Sequence, residues 1–263
     1  MLIDKTDRYE FEKIEIEGSS EGEFVTPKDL STTFIHEGKG TLYVQTSRGL
    51  KERAINQGQG FIISPGVPYR FSNDSQGLVA FTVSSETRAG EPIIEIIDNE
   101  GGRRESELGE YKVVENPKRV DKPWGHELWI SWFRDYHVLK QIGMNAGNQS
   151  SLQFHRDKLE TNYLQEGSAD VIEGYMLDPQ APETEVLESS KGIDFNKYRK
   201  TMFPIDHWTS KPGTVHRVIA KTDYLAYEVS TPELDDVIRL QDDQNRVSGR
   251  IDSEHKTGGN KNE

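Results

Sequence analysis

Four residues in the second half of the chain have side chains of the kinds that bind divalent metal ions. Gln153 and His155 are two positions apart, so on a β-strand both side chains point to the same face. Glu160 follows on or beside the next strand, and His216 comes far downstream, just after a Pro212-Gly213 turn. Two imidazoles, a carboxylate and an amide oxygen suit Zn²⁺, Fe²⁺, Mn²⁺, Co²⁺ or Ni²⁺, and an octahedral ion would keep positions for water or substrate. We therefore predict a divalent metal site, with zinc as the first choice.

The sequence predicts that short β-strands hold these residues. Several segments alternate polar and apolar residues with a period of two and are bounded by Gly, Pro, Asn or Asp: Thr41–Gln45, Leu78–Val83, Asp170–Glu173 and Tyr224–Val229. This pattern is typical of strands, and no long helical stripe accompanies it. The close spacing of strands and turns predicts an all-β sandwich or barrel.

A weak internal repeat predicts two such barrels. Phe34–Val44 and Tyr163–Ile172 each read as a strand, a Glu-Gly turn and a second strand. Ser64–Phe71 and Lys211–Val218 share a Pro-Gly turn that precedes an aromatic residue or histidine and an arginine. The second copy is longer because of an insertion within Tyr175–Thr201, which is predicted to form a loop with a short helix.

This repeat defines the predicted domains. We expect a first barrel over residues 1–100, a boundary near 90–116, a metal-binding second barrel over 115–246 and a disordered tail over 247–263. In the first barrel, the positions that correspond to the four metal ligands are occupied by Phe24, Thr26, Ser31 and Tyr69. None of these is a strong metal ligand, so the first barrel is predicted to serve packing, dimerisation or shaping of the active site.

The composition argues against several classes of function. A formal net charge of −13 disfavours non-specific nucleic-acid binding, which depends on a basic surface. The chain has no cysteine, which rules out disulfides and Cys-type zinc sites. No apolar run is long enough to span a membrane, and the charged N-terminus lacks the apolar region of a secretory signal, so we expect a cytoplasmic protein.

The spacing of the ligands resembles that of the cupin superfamily, whose usual pattern is G-x5-H-x-H-x3,4-E-x6-G followed by P-x-G-x2-H. The segment from Gly147 to Gly167 matches the first motif, with Gln153 in place of its first histidine. Pro212–His216 matches the second motif, with the glycine one place early. The resemblance implies a bicupin, built from two double-stranded β-helix (jelly-roll) barrels.

The Gln-x-His variant is similar to the phosphomannose isomerases, in which glutamine, histidine, glutamate and histidine bind zinc. Further segments resemble, in the same order, the isomerase domain of the bifunctional mannose-1-phosphate guanylyltransferase/phosphomannose isomerases: Lys122–Gly125, Ser151–His155, Pro212–Arg217, Glu228–Val229 and Asp236–Arg246. The chain departs from that family at His155–Glu160, where the family reads H-H-H-R-A-E. The N-terminal half also lacks the Gly-rich G-x-G-T-R-L motif, so guanylyl transfer is not implied.

The resemblance implies a metal-dependent aldose–ketose isomerase that acts on a sugar or sugar phosphate. The metal would act as a Lewis acid on the substrate carbonyl, and a base would move a proton between C1 and C2 through a cis-enediol. Lys140, Glu228 and His207 are the candidates for this base, in that order. We also expect that the protein can form a homodimer, because two-barrel cupins often dimerise through sheet edges.

Three other functions stay open at this point. An Fe²⁺-dependent cupin dioxygenase would keep coordination positions for O₂, although Gln153 argues against it, since such sites commonly use more histidines. A non-catalytic sugar-binding or regulatory bicupin would bind a ligand without turning it over. A metal-independent sugar epimerase would need a His-Asp base pair that the sequence does not reveal.

Overall fold

The computed structural model describes residues 1–86, 92–97 and 103–251. Its strands in the first part of the chain are β1 Leu2–Lys5, β2 Glu10–Glu17, β3 Leu30–Glu37, β4 Lys39–Thr46, β5 Gly49–Asn56, β6 Gly60–Ile63, β7 Tyr69–Asn73, β8 Gly77–Ser85, β9 Ile93–Ile97, β10 Arg103–Glu107 and β11 Tyr111–Val114. Part of the predicted boundary at 90–116 and most of the predicted tail at 247–263 lie outside the described residues.

The second part of the chain continues with strands and two short helices. The strands are β12 Lys118–Lys122, β13 Gly125–Trp132, β14 Val138–Met144, β15 Leu152–Phe154, β16 Glu160–Glu166, β17 Ala169–Met176, β18 Arg199–Met202, β19 His207–Ser210, β20 Thr214–Ala220, β21 Tyr224–Ser230 and β22 Ile238–Gln241. Between β17 and β18 lie helix α1 (Glu183–Ser189) and a 3₁₀ helix (Phe195–Tyr198). Neither of these helices is long and apolar enough to cross a membrane, a finding that covers only the described residues.

The predicted secondary structure is confirmed where the sequence pattern was clearest. All four alternating segments lie inside strands, namely β4, β8, β17 and β21. The insertion within Tyr175–Thr201, predicted to be a loop with a short helix, contains two short helices. Its apolar side chains, Val186 and Phe195 among them, pack against Leu152 and Phe154 of β15. The insertion therefore supports the strand that leads to the predicted ligand His155.

The first compact unit comprises Met1–Ile96, Arg103–Lys118 and Trp129–Leu139. A six-stranded sheet in the order β1-β2-β8-β3-β6-β11 and a three-stranded sheet in the order β5-β4-β7 both contribute to its apolar core. That core contains Ile35, Leu42, Val44, Ile55, Phe61, Ile63, Leu78 and Ala80. Strands β9 and β10 form a separate two-stranded sheet.

The second unit comprises Arg119–Leu128 and the described residues from Lys140 onwards. A six-stranded sheet in the order β12-β13-β14-β21-β16-β19 and a five-stranded sheet in the order β18-β17-β20-β15-β22 provide its strands. One cluster of buried apolar side chains in this unit includes Trp124, Ile142, Met144, Leu164, Val171, Trp208, Tyr224 and Ala226. This division by contacts assigns Trp129–Leu139 to the first unit, so the predicted domain ranges 1–100 and 115–246 stay a prediction.

The repeated turns have the same backbone conformation in both copies. Gly38 and Gly167 at the Glu-Gly turns have φ of 91° and 86°, and Gly66 and Gly213 at the Pro-Gly turns have φ of 77° and 83°. L-residues rarely adopt this region. At Gly167 a Cβ atom would also lie 2.0 Å from the carbonyl oxygen of Asp223, so this turn requires glycine for space as well as for conformation.

Candidate metal centre

Three of the four predicted ligands converge within the second unit. His155 directly follows β15, Glu160 begins β16, and His216 is the third residue of β20. His216 Nε2 lies 3.2 Å from Glu160 Oε1, and His155 Nε2 lies 3.6 Å from Glu160 Oε2. Ligand atoms from the three side chains all lie within 4.8 Å of one another, and all three residues are buried. Their donor atoms could therefore hold one metal ion.

Backbone carbonyls select the tautomer of both histidines. Nδ1 of His155 contacts the carbonyl oxygen of Asp236, and Nδ1 of His216 lies 3.0 Å from the carbonyl oxygen of Thr214. Because a carbonyl oxygen can only accept, each neutral ring carries its proton on Nδ1 and keeps the lone pair on Nε2. Metal-binding histidines are oriented in this way by a hydrogen bond from their second ring nitrogen.

Burial and neighbouring charges hold His155 and Glu160 in the protonation states that a metal requires. Burial, assisted by the Lys158 ammonium, lowers the pKa of His155 to about 3, although Glu160 opposes the shift. Burial alone would raise the pKa of Glu160, but the Lys158 ammonium holds it below its usual range. Neutral imidazole and ionised carboxylate are the forms that bind metal ions.

One buried atom in this group lacks a hydrogen-bond partner. His155 Nε2 is shielded from solvent and has none among the described residues. Leaving a buried polar atom without a partner costs free energy, whereas a cation would accept its lone pair. The donor set of two imidazole nitrogens and a carboxylate suits a divalent transition metal. The residues present therefore fit such an ion.

Gln153, the fourth predicted ligand, lies beside the group without completing it. It pairs with His216 in the ladder between β15 and β20, which places both side chains on one face. Its Nε2 lies 3.4 Å from His216 Nε2, while its Oε1 accepts a hydrogen bond of 2.6 Å from the Ser151 hydroxyl. Metal ligation by Gln153 would need the amide rotated by half a turn, which the Ser151 hydroxyl allows because it can also accept. Its role as a ligand stays a prediction.

Lys158 is a candidate functional residue that the sequence analysis missed. Its ammonium contacts Glu160 Oε2 and lies 2.9 Å from Glu228 Oε1, and the three side chains are at most 12% exposed. Burial would lower the pKa of Lys158, but these two carboxylates raise it above its ordinary value. Lys158 lies in the segment just before β16, so strand alternation does not predict that its side chain meets Glu160. Lys158 and Glu228 are 70 positions apart in the sequence, so no local sequence pattern predicts their contact.

Two of the three predicted base candidates, Lys140 and Glu228, belong to the same set of charged side chains as Lys158. Lys140 Nζ lies 3.7 Å from Glu228 Oε1 and 3.6 Å from Glu127 Oε2. Lys122 Nζ in turn lies 3.7 Å from Glu127 Oε1. The result is a series of alternating charges, which we call the charge row: Glu160, Lys158, Glu228, Lys140, Glu127 and Lys122.

His207, the third base candidate, lies elsewhere. Its side chain is exposed, and in the ladder between β16 and β19 it pairs with Tyr163. Tyr163 is three positions from Glu160, so alternation places Tyr163 and His207 on the opposite face of the sheet from Glu160. The structure therefore places His207 away from the donor group, and its role as the base stays a prediction.

The first unit offers no comparable set of donors at the predicted equivalent positions. Phe24 is half exposed, Thr26 is exposed, Ser31 is buried and Tyr69 is half-buried. Within residues 1–86, 92–97 and 103–251, the His155–Glu160–His216 group is the one convergent set of three histidine or carboxylate side chains. That a metal binds only in the second barrel stays a prediction.

Comparison with known proteins identifies the fold. No protein-family model matches the sequence, and no curated protein matches it. The oxalate decarboxylase of Lactobacillus farciminis, solved as a formate complex, superposes with a TM-score of 0.60 and 12% identity, over 89% of this chain and 79% of its own. The oxalate decarboxylase of Bacillus subtilis, which has Mn(II) centres, gives 0.61 and 10%, over 89% and 71%. The chain has the bicupin fold.

A third similar structure is AerE from Microcystis aeruginosa, with a TM-score of 0.57 and 8% identity, over 85% of this chain and 87% of its own. The prediction of an all-β bicupin is thus confirmed. Identities of 8–12% carry the fold and not the activity. The resemblance of this bicupin to phosphomannose isomerases and its preference for zinc receive no support from these structures, and both stay predictions.

Proposed function

We propose that this bicupin is a metal-dependent aldose–ketose isomerase that acts on a sugar or sugar phosphate. The proposal is supported by a lysine that links the metal donors to a carboxylate able to accept a proton. Glu160 of the donor group and Glu228 share Lys158 as a common partner. Metal-assisted isomerisation needs both parts, a cation for the carbonyl and a base for the adjacent carbon.

A divalent cation held by His155, Glu160 and His216 would supply Lewis-acid polarisation of the substrate carbonyl. Glu228 is the preferred base, because an ionised carboxylate accepts protons while its two lysine neighbours are paired with carboxylates. Glu228 takes the proton from C2 and returns it to C1, and a hydroxyl proton passes from O2 to O1, so the atoms balance. Lys158, at 2.9 Å from Glu228 Oε1, fixes the orientation of this carboxylate.

The experiment is NMR of the metal-loaded protein in D₂O with a panel of aldoses, ketoses and their phosphates. We expect deuterium at C1 or C2, lost on chelation of the metal. Glu228→Gln should lower the exchange rate by about 10²-fold or more while the cation is retained. Glu166→Gln, which changes an exposed carboxylate at the end of β16, should leave the rate unchanged.

Two further arms separate the rival functions. Oxalate with Mn²⁺ is included because the similar structures include oxalate decarboxylases, one of them with Mn(II) centres. Oxygen consumption tests the Fe²⁺-dependent dioxygenase. Loss of oxalate or O₂ with no deuterium exchange in any sugar would contradict the isomerase. Tight binding of a sugar without exchange would instead indicate a sugar-binding or regulatory bicupin.

A further inference from the structure

Lys158 and the candidate metal site share one carboxylate. The Lys158 ammonium contacts Oε2 of Glu160, the oxygen that lies 3.6 Å from His155 Nε2. The other oxygen, Oε1, lies 3.2 Å from His216 Nε2 and accepts a hydrogen bond of 3.3 Å from the Asn162 amide. The side chains of Lys158 and Glu160 are 6% and 5% exposed, so solvent does little to screen this contact.

We propose that Lys158 is a positioning residue that limits the affinity of the metal site by holding Oε2 of Glu160. This inference rests on the metal centre of the proposed function and concerns its control. An ammonium in contact with a metal ligand repels a divalent cation bound to the same carboxylate, and burial strengthens the repulsion. The same contact leaves Oε1 as the better placed oxygen for the cation.

The contact also explains how the donor group can form before a cation arrives. A buried carboxylate without a counter-charge is costly, and Lys158 supplies that charge from two positions away in the sequence. Glu228 binds the same ammonium at 2.9 Å and gives it a second partner. Lys158 can therefore stay buried and charged between the two carboxylates when a cation takes up part of the charge of Glu160.

Lys140 provides a matched control for this inference. It is also a buried lysine of the charge row, and it lies 3.7 Å from Glu228 Oε1. Its other carboxylate partner at 3.6 Å is Glu127, which is not part of the metal donor group. Removing Lys140 changes the charge of the second unit by the same amount as removing Lys158. It leaves the contact between the Lys158 ammonium and Glu160 Oε2 in place.

The test measures the affinity of the purified chain for Zn²⁺ and Mn²⁺ by calorimetry and by competition with a chelator. Lys158→Met should bind about tenfold more tightly than wild type, and Lys140→Met should change affinity by less than about threefold. Lys158→Gln, which keeps a hydrogen-bond donor without the charge, should bind more tightly as well, and it serves if the methionine variant does not fold. Circular dichroism checks the fold of each variant.

The outcomes separate this inference from the proposed function. Equal or weaker cation binding by folded Lys158→Met or Lys158→Gln would overturn the role of Lys158 alone. An equal gain in affinity for Lys140→Met would overturn it too, because the effect would then follow total charge. Absence of cation binding by wild type and all variants would overturn the metal centre itself.

Discussion

The lone pairs of His155 and His216 are available to a cation because backbone carbonyls hold the protons of both rings on Nδ1. The carbonyl of Asp236 cannot be recognised in the sequence as a partner of His155, since the two residues are 81 positions apart. The types and order of the donors, by contrast, were sufficient to predict three members of the group. At the scale of residues, the clustering of these three side chains was predictable, and the orientation of the histidine rings was not.

Replacement of a single histidine tests this arrangement. His216→Ala should abolish retention of a divalent cation, because two donors in a buried site cannot replace the hydration shell of the ion. His207→Ala is the control, since His207 is exposed and lies on the opposite face of the sheet from Glu160. The measurement is metal content by mass spectrometry after dialysis. Stoichiometric metal in His216→Ala would show that the ligands have been assigned wrongly.

The tight turns between strands bring the donors together, and the turn at Gly167 joins β16 and β17. A side chain here meets two penalties, the left-handed backbone and a Cβ atom 2.0 Å from the carbonyl oxygen of Asp223. Gly147 has a similar φ of +79° but nothing within 4 Å of its Cβ position. The pair of glycines thus separates conformational strain from steric overlap.

Gly147→Ala should therefore lower the free energy of unfolding by about 1–2 kcal/mol, the cost of the left-handed conformation. Gly167→Ala should lower it by clearly more, because backbone must also move to relieve the overlap. Urea unfolding followed by circular dichroism measures both. An equal decrease in the free energy of unfolding in the two variants would mean that the steric overlap at Gly167 is relieved without cost.

The strands were predictable because their period-two pattern is a local property of the sequence. The repeated Glu-Gly and Pro-Gly turns extended this to two related barrels, since glycine adopts the positive φ of these turns at little cost. The charge row was not predictable, because its members come from β12, β13, β14, β16 and β21 and from the segment before β16. The assignment of Trp129–Leu139 to the first unit likewise depends on contacts far apart in the chain.

The stability of the whole molecule should depend on pH through a buried histidine of the first unit. His137 is fully buried, with Nε2 at 2.9 Å from the Thr32 hydroxyl and Nδ1 at 2.8 Å from the Ser85 hydroxyl. Burial lowers its pKa from 6.5 to about 3. Between pH 6.5 and about pH 3, His137 is protonated in the unfolded chain and neutral in the folded chain. The contribution of neutral His137 is therefore fully present above pH 6.5 and is lost as the pH falls towards 3.

Comparison with His137→Gln isolates this effect, because the other titrating groups, including His155, are common to both proteins. The wild-type free energy of unfolding should fall relative to the variant by about 1.4 kcal/mol per pH unit below pH 6.5. Above pH 7 the variant should be the less stable protein, since glutamine cannot reproduce both hydroxyl contacts. Parallel pH profiles from urea unfolding at pH 4.5 to 8 would exclude His137 as the source.

The metal centre is tested by anomalous diffraction at the metal absorption edge from crystals of the protein loaded with Zn²⁺ or Mn²⁺. We predict one strong peak per chain, bonded to His155 Nε2, His216 Nε2 and a carboxylate oxygen of Glu160. A peak bonded to other residues, or no peak from protein that binds the cation stoichiometrically in solution, would contradict it.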